Sequence, residues 1–353
     1  MTPQEIRLRR LYNQQVLLPK LTNSQEVVSY MAAMQAQEYA MAKWAIALRM
    51  PHATENQIEK DFNEGRILRT HILRPTWHFA APQDIRWLLQ LTAPRVSQAN
   101  AFMYRKYEMG EKQFANIHPV LEKALQGNNY LTRDAIREVL RKAGIDTGDS
   151  IMMSIIMMEA ELSGLICSGP RQGNQFTYAL LEERAPKVNA ISRDEALALF
   201  CCRYFKSRGP ATIKDFTTWS GLTVKEAKEG IAMISKELEK FSIDGAEYYF
   251  IDDLPALPKN GQVTFLMPDY DEYGMGYKNR SVLNNPKAVQ KTMFDRVVIL
   301  DGMIAGSWKR TIQKDKVLID IQDFGDEEVS REMVAAINKF AVFLDKEPQY
   351  NFV

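Results

Sequence analysis

The sequence contains few of the residues that build disulfide frameworks, zinc sites or membrane spans. Three cysteines and four histidines among 353 residues give neither a disulfide framework nor a cysteine-based metal clip. No segment approaches 18 consecutive uncharged apolar residues, which argues against a membrane-spanning helix. There is no apolar signal core behind the polar start of the chain, so we expect a cytoplasmic protein.

Common catalytic motifs are missing as well. The sequence has no Walker loop and no GxGxxG, HExxH or GxSxG motif, so the usual signatures of nucleotide binding, zinc peptidases and serine hydrolases are absent. The formal net charge of +1 does not by itself indicate an acidic or a basic partner. We therefore expect neither a metal nor an organic cofactor.

One order of elements, helices followed by a β-hairpin, occurs three times along the chain. In the third copy, Ser192 and Thr223 begin capping-box patterns that open helices, and Asp244-Gly245 predicts a two-residue hairpin turn. In the second copy, an almost wholly apolar helix over residues 150–163 precedes the hairpin. Its methionines favour a buried position over a ligand-binding surface.

The first copy is the least regular. Helices are expected over residues 25–34 and 39–50, and the pattern that begins at Thr54 opens another. Within residues 66–79, the apolar stretches on either side of Pro75 predict a hairpin that turns at the proline.

Three helices followed by a hairpin is the order of a winged helix, which often binds DNA through one helix and the hairpin. The tail differs, because it contains several strands, a hairpin turn at Asp301-Gly302 and a closing helix over residues 327–344. We therefore predict an α+β protein with tandem winged-helix (helix-turn-helix) domains followed by a small β-rich C-terminal domain. The predicted domain ranges are 1–117, 118–188, 189–259 and 260–353.

Residues 34–38, Met-Gln-Ala-Gln-Glu, hold two glutamines two positions apart. On a helix, side chains two residues apart point about 200° away from each other, so Gln35 and Gln37 serve one site only if the helix ends or bends there. The apolar pattern supports a break, because one face ends at Met34 and another begins at Tyr39. The residues alone also allow a simpler interpretation, two surface glutamines at a helix junction.

Four segments together resemble the AlkZ-like DNA glycosylases, a family of tandem winged-helix proteins. They follow the order of the family's pattern and comprise residues 34–38, 68–79, 267–280 and 299–310. The resemblance implies hydrolysis of the N-glycosidic bond of alkylated purines in double-stranded DNA, especially N7-alkylguanine and N3-alkyladenine, with some members also unhooking interstrand crosslinks. It further implies that Gln35 and Gln37 position the attacking water, whereas a sister group has aspartate at the second position.

The chemistry of such substrates agrees with a site that lacks an obvious base. An N7- or N3-alkylpurine is cationic and leaves as a neutral base, so it needs little general acid. A carboxamide can orient water through hydrogen bonds, and orientation of a nucleophile supplies about 7 kcal/mol or more in the best cases. Because a carboxamide cannot deprotonate water, we expect little activity on uncharged bases. A lyase activity would need an amine nucleophile at the sugar, and nothing in the sequence identifies such a lysine, so we expect a monofunctional glycosylase.

Further candidates lie on the hairpin, on the helix after the glutamines and in the tail. Basic side chains and histidines that could contact DNA are Lys43, Arg66, Arg69, His71, Arg74 and His78. Alternation along the second strand of the hairpin predicts Trp77 and Phe79 in the core. In the tail, the resemblance suggests a cleft lined by Asp271, Glu272, Tyr273, Arg280, Trp308 and Arg310.

Two alternatives stay open at this point. The carboxylates of residues 269–273 could bind a divalent metal, but we favour an acidic loop that pairs with basic side chains of a neighbouring domain. The whole chain could also be a non-catalytic winged-helix DNA-binding protein, such as a transcriptional regulator. Because such regulators usually dimerise and nothing here resembles a dimerisation helix, we expect a monomer.

Overall fold

The computed structural model describes residues 1–187, 189–251, 263–284, 295–322 and 331–353. The chain forms two compact units. The first, called here the glutamine unit, comprises Met1–Glu59, Ala198–Trp219 and Thr223–Val353. The second, called the hairpin unit, comprises Lys60–Leu197 and Ser220–Leu222. The division into four domains stays a prediction.

Helices and strands occur in separate runs along the chain, such as α11–α13 and β10–β12, which confirms the α+β class. The helices described are α1 (Pro3–Asn13), α2 (Ser24–Tyr30), α3 (Tyr39–Leu48), α4 (Glu55–Asn63), α5 (Ile85–Ala99), α6 (Ala101–Lys106), α7 (Glu111–Leu125), α8 (Arg133–Lys142), α9 (Ser150–Leu162), α10 (Leu181–Arg184), α11 (Arg193–Arg208), α12 (Ile213–Ser220), α13 (Val224–Met233), α14 (Glu272–Met275) and α15 (Arg331–Leu344). The strands described are β1 (Met34–Gln35), β2 (Leu68–His71), β3 (Trp77–Ala80), β4 (Leu131–Thr132), β5 (Ile166–Ser168), β6 (Thr177–Leu180), β7 (Glu239–Ile243), β8 (Ala246–Phe250), β9 (Thr264–Leu266), β10 (Val297–Leu300), β11 (Met303–Ile312), β12 (Lys316–Gln322) and β13 (Glu347–Phe352).

The hairpin unit has an apolar interior among α7, α8 and α9. Ile136 and Leu140 of α8 and Met153 and Ile156 of α9 are fully buried, so the methionine-rich helix is interior, as predicted. Strands β4, β6 and β5 form a three-stranded antiparallel sheet in the same unit. Helices α7, α8 and α9 and the hairpin of β5 and β6 therefore occur in the order that the second copy of the repeat predicted, whereas β4, between α7 and α8, was not predicted.

The hairpin expected over residues 66–79 is present in the hairpin unit. Strands β2 and β3 pair antiparallel, from Leu68 opposite Ala80 to His71 opposite Trp77. The predicted turn around Pro75 is thereby confirmed.

In the glutamine unit, helices α12 and α13 are followed by the antiparallel hairpin β7–β8. Its turn has Asp244 at φ +49° and Gly245 at φ +77°, the left-handed conformations that a two-residue turn of this kind requires. Thr223 forms the capping box that its sequence pattern predicted, with Glu226. The third copy of the repeat thus contains the expected hairpin.

The tail contributes a five-stranded sheet with strand order β13-β12-β11-β10-β9. Helix α15 packs on this sheet and on α3, and the Phe340 ring lies 5.0 Å from Trp44 and 4.9 Å from Trp308 between centroids. The hairpin turn at Asp301-Gly302 is confirmed. Residues 323–330, where the closing helix was expected to begin, lie outside the described residues.

Some elements differ from the sequence prediction. The helix expected over residues 25–34 ends at Tyr30, and Ala32 has a left-handed φ of +60°. Strand β13, which runs parallel to β12, was not predicted because this mostly exposed edge strand carries no apolar alternation. Among the described helices, none has the length and apolar character needed to cross a bilayer.

Candidate active site

Gln35 and Gln37 lie in the non-helical segment between α2 and α3. Helix α2 ends at Tyr30 and α3 begins at Tyr39, so the break that the apolar pattern predicted is confirmed. Gln35 ends the short strand β1, and Gln37 lies at a bend two residues later. Gln35 is 8% exposed, whereas Gln37 is exposed.

Gln37 directly precedes the N-terminal end of α3. Glu38 is the N-cap residue, has extended backbone and makes no capping hydrogen bond with its side chain. Because a helix N-terminus carries partial positive charge, Gln37 lies beside a helix end that attracts electronegative groups. A water oxygen and a DNA phosphate are both groups of that kind.

The Glu272 carboxylate supports this segment from within the glutamine unit. Its Oε1 atom accepts a hydrogen bond of 2.9 Å from the backbone N–H of Gln35. Its Oε2 atom accepts hydrogen bonds from Arg208 and from the indole N–H of Trp219, the latter at 2.9 Å. Glu272 is 1% exposed, so its charge is balanced by these donors and not by bulk water.

Arg208 binds carbonyl groups of the same segment. Its Nη1 atom donates to the Met31 carbonyl and its Nη2 atom to the Ala33 carbonyl, both at 2.9 Å. The guanidinium also lies 4.2 Å from the Trp219 ring centroid. Arg208 and Glu272 therefore hold the backbone immediately before the two glutamines.

A second buried ion pair involves Asp271, the residue directly before Glu272. Arg49 donates to both carboxylate oxygens of Asp271 at 2.9 Å, and both side chains are fully buried. The acidic segment thus pairs with arginines, but Arg49 and Arg208 belong to the same compact unit, so pairing with a neighbouring domain stays a prediction. Among the described residues, there is no group of three His, Cys, Asp or Glu arranged to hold a metal ion.

Charged residues near Glu38 form a mixed patch. Asp269 pairs with Arg296 at 3.3 Å, and burial raises the pKa of Asp269, an effect opposed by Arg296 and reinforced by Glu38. Burial and the neighbouring Arg296 lower the pKa of Arg310. Arg310 is thus the predicted cleft residue that lies within electrostatic range of Glu38.

Two candidate site residues of the glutamine unit, Lys43 and Trp308, have buried side chains. Lys43 is 5% exposed and pairs with Glu55 and Glu59 at 2.9 and 2.7 Å, which leaves it poorly placed for a phosphate. Trp308 is a core residue whose indole N–H donates to the Met267 carbonyl.

Two other tail residues also have structural contacts. Tyr273 is fully buried and donates to the Gly302 carbonyl at 2.8 Å, and burial raises its pKa. Arg280 is half-buried and donates to the Gly274 carbonyl at 2.8 Å. Both side chains stabilise loops of the tail instead of facing an open cleft.

Most of the hairpin residues that were predicted to contact DNA have buried side chains as well. Arg69 lies between the rings of Trp77 and Phe176, at 4.2 and 4.6 Å from their centroids. His71 forms a very close contact through Nδ1 with the buried carboxylate of Glu161, which also accepts from the His71 backbone N–H. These contacts fix both side chains inside the hairpin unit, so the structure is at odds with direct phosphate contacts by them.

The three remaining candidate residues of the hairpin differ in how exposed their side chains are. His78 is fully buried, and its Nδ1 atom contacts the Thr76 carbonyl at 2.9 Å, so its side chain is not exposed toward a DNA surface. Arg66 is exposed and pairs with Asp61 and Glu64. Arg74 is partly exposed beside the turn. Of the predicted core residues, Phe79 is fully buried, whereas Trp77 is only partly buried.

Sequence reasoning missed Arg208, Trp219 and Glu161. Arg208 ends α11 and Trp219 lies within α12, and neither belongs to a motif or to one of the four matching segments. A basic residue at a helix C-terminus is common, so no local signal marked Arg208.

Comparisons with known proteins place the chain in a family. A profile of the family described as DNA glycosylase AlkZ-like matches residues 28–343. The interstrand DNA cross-link repair glycosylase of Streptomyces sahachiroi is 24% identical over 306 residues, which cover 81% of this chain and 82% of that protein.

The solved structure of Streptomyces sahachiroi DNA glycosylase AlkZ matches all of both chains with a TM-score of 0.79 at 20% identity. The two proteins therefore share a fold. The family match also favours an enzyme over the alternative of a non-catalytic regulator. The family profile matches far more than half of this chain's residues. The chain therefore belongs to the AlkZ-like DNA glycosylase family and is a DNA repair enzyme that acts on N-glycosyl bonds.

Proposed function

We propose that this glycosylase hydrolyses the N-glycosidic bond of cationic alkylated purines in double-stranded DNA, principally N7-alkylguanine and N3-alkyladenine. Gln35 and Gln37 position the attacking water. The observation that carries the proposal is that Glu272, the carboxylate bonded to this segment, is already occupied by Arg208, Trp219 and the Gln35 N–H. It therefore cannot act as a strong base toward water.

A site of this kind suits a substrate with a good leaving group. A cationic purine departs as a neutral base, and the remaining requirement is a water held close to the sugar. Two carboxamides supply donors and acceptors for that water without taking its proton. Uncharged bases, which need protonation before departure, are then poor substrates.

Interstrand crosslinks built from two alkylated purines are included in the proposal. The relative from Streptomyces sahachiroi is named as a cross-link repair glycosylase, and each half of such a crosslink is itself a cationic alkylpurine. The same leaving-group chemistry then applies to both substrates.

The repeated order of helices and hairpins leads us to propose tandem winged-helix domains that bind DNA as a monomer. Arg66, just before β2, and Arg74, within the connection between β2 and β3, are the proposed phosphate-binding side chains, because Arg66 is exposed and Arg74 partly so. Replacing either arginine with alanine is expected to reduce the slope of log affinity against log salt by roughly one.

The test is single-turnover base release from an oligonucleotide that contains one N7-methylguanine. Wild type is compared with Gln35→Ala, Gln37→Ala and the matched control Gln90→Ala, an exposed glutamine on α5. We expect release by wild type and Gln90→Ala, and a rate about 100-fold lower in at least one of the other two.

A second oligonucleotide, carrying the uncharged lesion hypoxanthine, tests the leaving-group argument. No release from hypoxanthine is expected. Equal release from both lesions, or undiminished rates in Gln35→Ala and Gln37→Ala, would overturn the proposed mechanism.

A further inference from the structure

We propose that Arg208 and Glu272 are positioning residues that set the conformation of residues 31–35 and thereby the rate of base release. The inference rests on the proposed role of Gln35 and Gln37. Neither side chain is assigned to the reaction itself, since both are buried behind the segment.

The backbone at residues 31–33 does not follow a regular path. Ala32 adopts φ +60°, a left-handed conformation that is unfavourable for residues with a Cβ atom. Local backbone hydrogen bonds, from the Ala32 N–H to the Ser29 carbonyl and from the Ala33 N–H to the Met31 carbonyl, hold part of this path. The arginine adds support from a distant helix, because its two terminal nitrogens bind the Met31 and Ala33 carbonyls on either side of Ala32.

The carboxylate extends the same support to the first glutamine. Glu272 binds Arg208 through Nε at 3.1 Å and Nη2 at 2.6 Å, both on Oε2. Its other oxygen binds the Gln35 N–H. One ion pair thus fixes two carbonyls and one N–H within five consecutive residues.

An ion pair is well suited to this task. Buried pairs add little net stability relative to apolar side chains, but they require particular partners at particular distances. The planar guanidinium can donate to a carboxylate and to two carbonyls at the same time, which an ammonium group cannot reproduce. The pair therefore selects one backbone path where apolar packing would accept several.

The expected consequence is a change in rate rather than in DNA affinity. A displacement of about 1 Å at a group that orients a nucleophile can reduce the rate by roughly 100-fold. Phosphate contacts, which dominate affinity, do not involve the buried pair. A purely structural role would instead reduce the amount of folded protein and leave the rate of each folded molecule unchanged.

The main test compares Glu272→Gln and Arg208→Lys with wild type in single-turnover base release at saturating enzyme, with DNA affinity measured in parallel. A glutamine at position 272 has one acceptor oxygen, so either the Gln35 N–H or the arginine is left without its partner. We expect release to slow by about 10- to 100-fold in both variants, with dissociation constants within a factor of two of wild type.

The matched control is Asp215→Asn. Asp215 is also a buried carboxylate of the glutamine unit, but it accepts from the backbone N–H groups of Thr212, Lys278 and Asn279. We expect Asp215→Asn to release base at the wild-type rate. An equal slowing in Asp215→Asn would assign the effect to general destabilisation and overturn the inference.

A milder variant covers the case in which neither main variant folds. Trp219→Phe removes one donor to Glu272 and keeps an aromatic ring in place. We expect a slowing of about 3- to 10-fold, and the inference is wrong if this variant releases base as fast as wild type.

Hydrogen exchange separates this inference from the proposed function. The Gln35 amide is expected to exchange slowly in wild type and at least 10-fold faster in Glu272→Gln, or in Trp219→Phe to a smaller extent, whether or not the protein releases base. Slow exchange with no base release by wild type would refute the proposed function alone. Undiminished protection in these variants would refute the positioning role alone.

Discussion

In the glutamine unit, the interior behind residues 31–35 contains two arginine–carboxylate pairs, whereas the interior among α7, α8 and α9 of the hairpin unit is apolar. The first interior fixes individual backbone atoms, for example through Arg208 and Glu272. The second buries aliphatic and methionine side chains that adapt to one another. Buried ion pairs therefore occur where the backbone of one short segment is held in a single conformation. Apolar packing occurs where whole helices are held against one another.

The hairpin unit also contains a buried polar contact, between the His71 imidazole and the Glu161 carboxylate. This contact joins strand β2 to helix α9 and lies outside the apolar cluster in which α7 packs against α8. Here too, the carboxylate binds a backbone N–H as well as a side chain. The comparison thus distinguishes two kinds of interior and not simply two units.

The greatest destabilisation is expected where one member of a charged pair is left without its partner. Arg208→Met leaves the Glu272 carboxylate buried without its cation, and we expect the free energy of unfolding in urea to fall by about 3–5 kcal/mol. The double variant Arg208→Met/Glu272→Leu should recover part of this stability, because no unpaired charge remains. If the single variant unfolds at the wild-type urea concentration, the contrast between the two interiors is wrong.

A core truncation in the hairpin unit tests the apolar side of the contrast. Leu140→Ala removes buried aliphatic volume from α8, so the free energy of unfolding should fall by about 2–5 kcal/mol. The rate of base release per folded molecule should stay at the wild-type value, unlike the rate in Glu272→Gln. Val342→Ala, at an exposed position of α15, serves as the control and should change stability by less than about 0.5 kcal/mol.

A weaker effect is expected from pH, through a partly buried lysine of the glutamine unit. Burial and the neighbouring Arg49 lower the pKa of Lys339 to about 8, and an unfolded lysine titrates near about 10.4. Between these values the unfolded chain binds more protons, so the free energy of unfolding rises with pH. Relative to Lys339→Met, wild type should gain roughly 1–3 kcal/mol between pH 7 and pH 10. An exposed control, Lys236→Met, should show no such difference.

Local sequence patterns were sufficient to predict most helices, the hairpins and the break before α3. Capping residues such as Thr223 and turn residues such as Asp244-Gly245 act through neighbours only a few positions away, so they can be recognised without the fold. The apolar pattern that ended at Met34 and restarted at Tyr39 is local in the same way. The four matching segments further indicated the family.

The surroundings of the glutamines, by contrast, depend on tertiary contacts. Gln35 and the Glu272 side chain are 237 positions apart, and Arg208 and Ala33 are 175 apart, so no local pattern couples them. For the same reason, alternation placed His78 on one face of its strand but did not determine whether that face is covered. Periodicity identifies the side of an element on which a residue lies, whereas burial and charge pairing depend on distant segments that meet only when the chain folds.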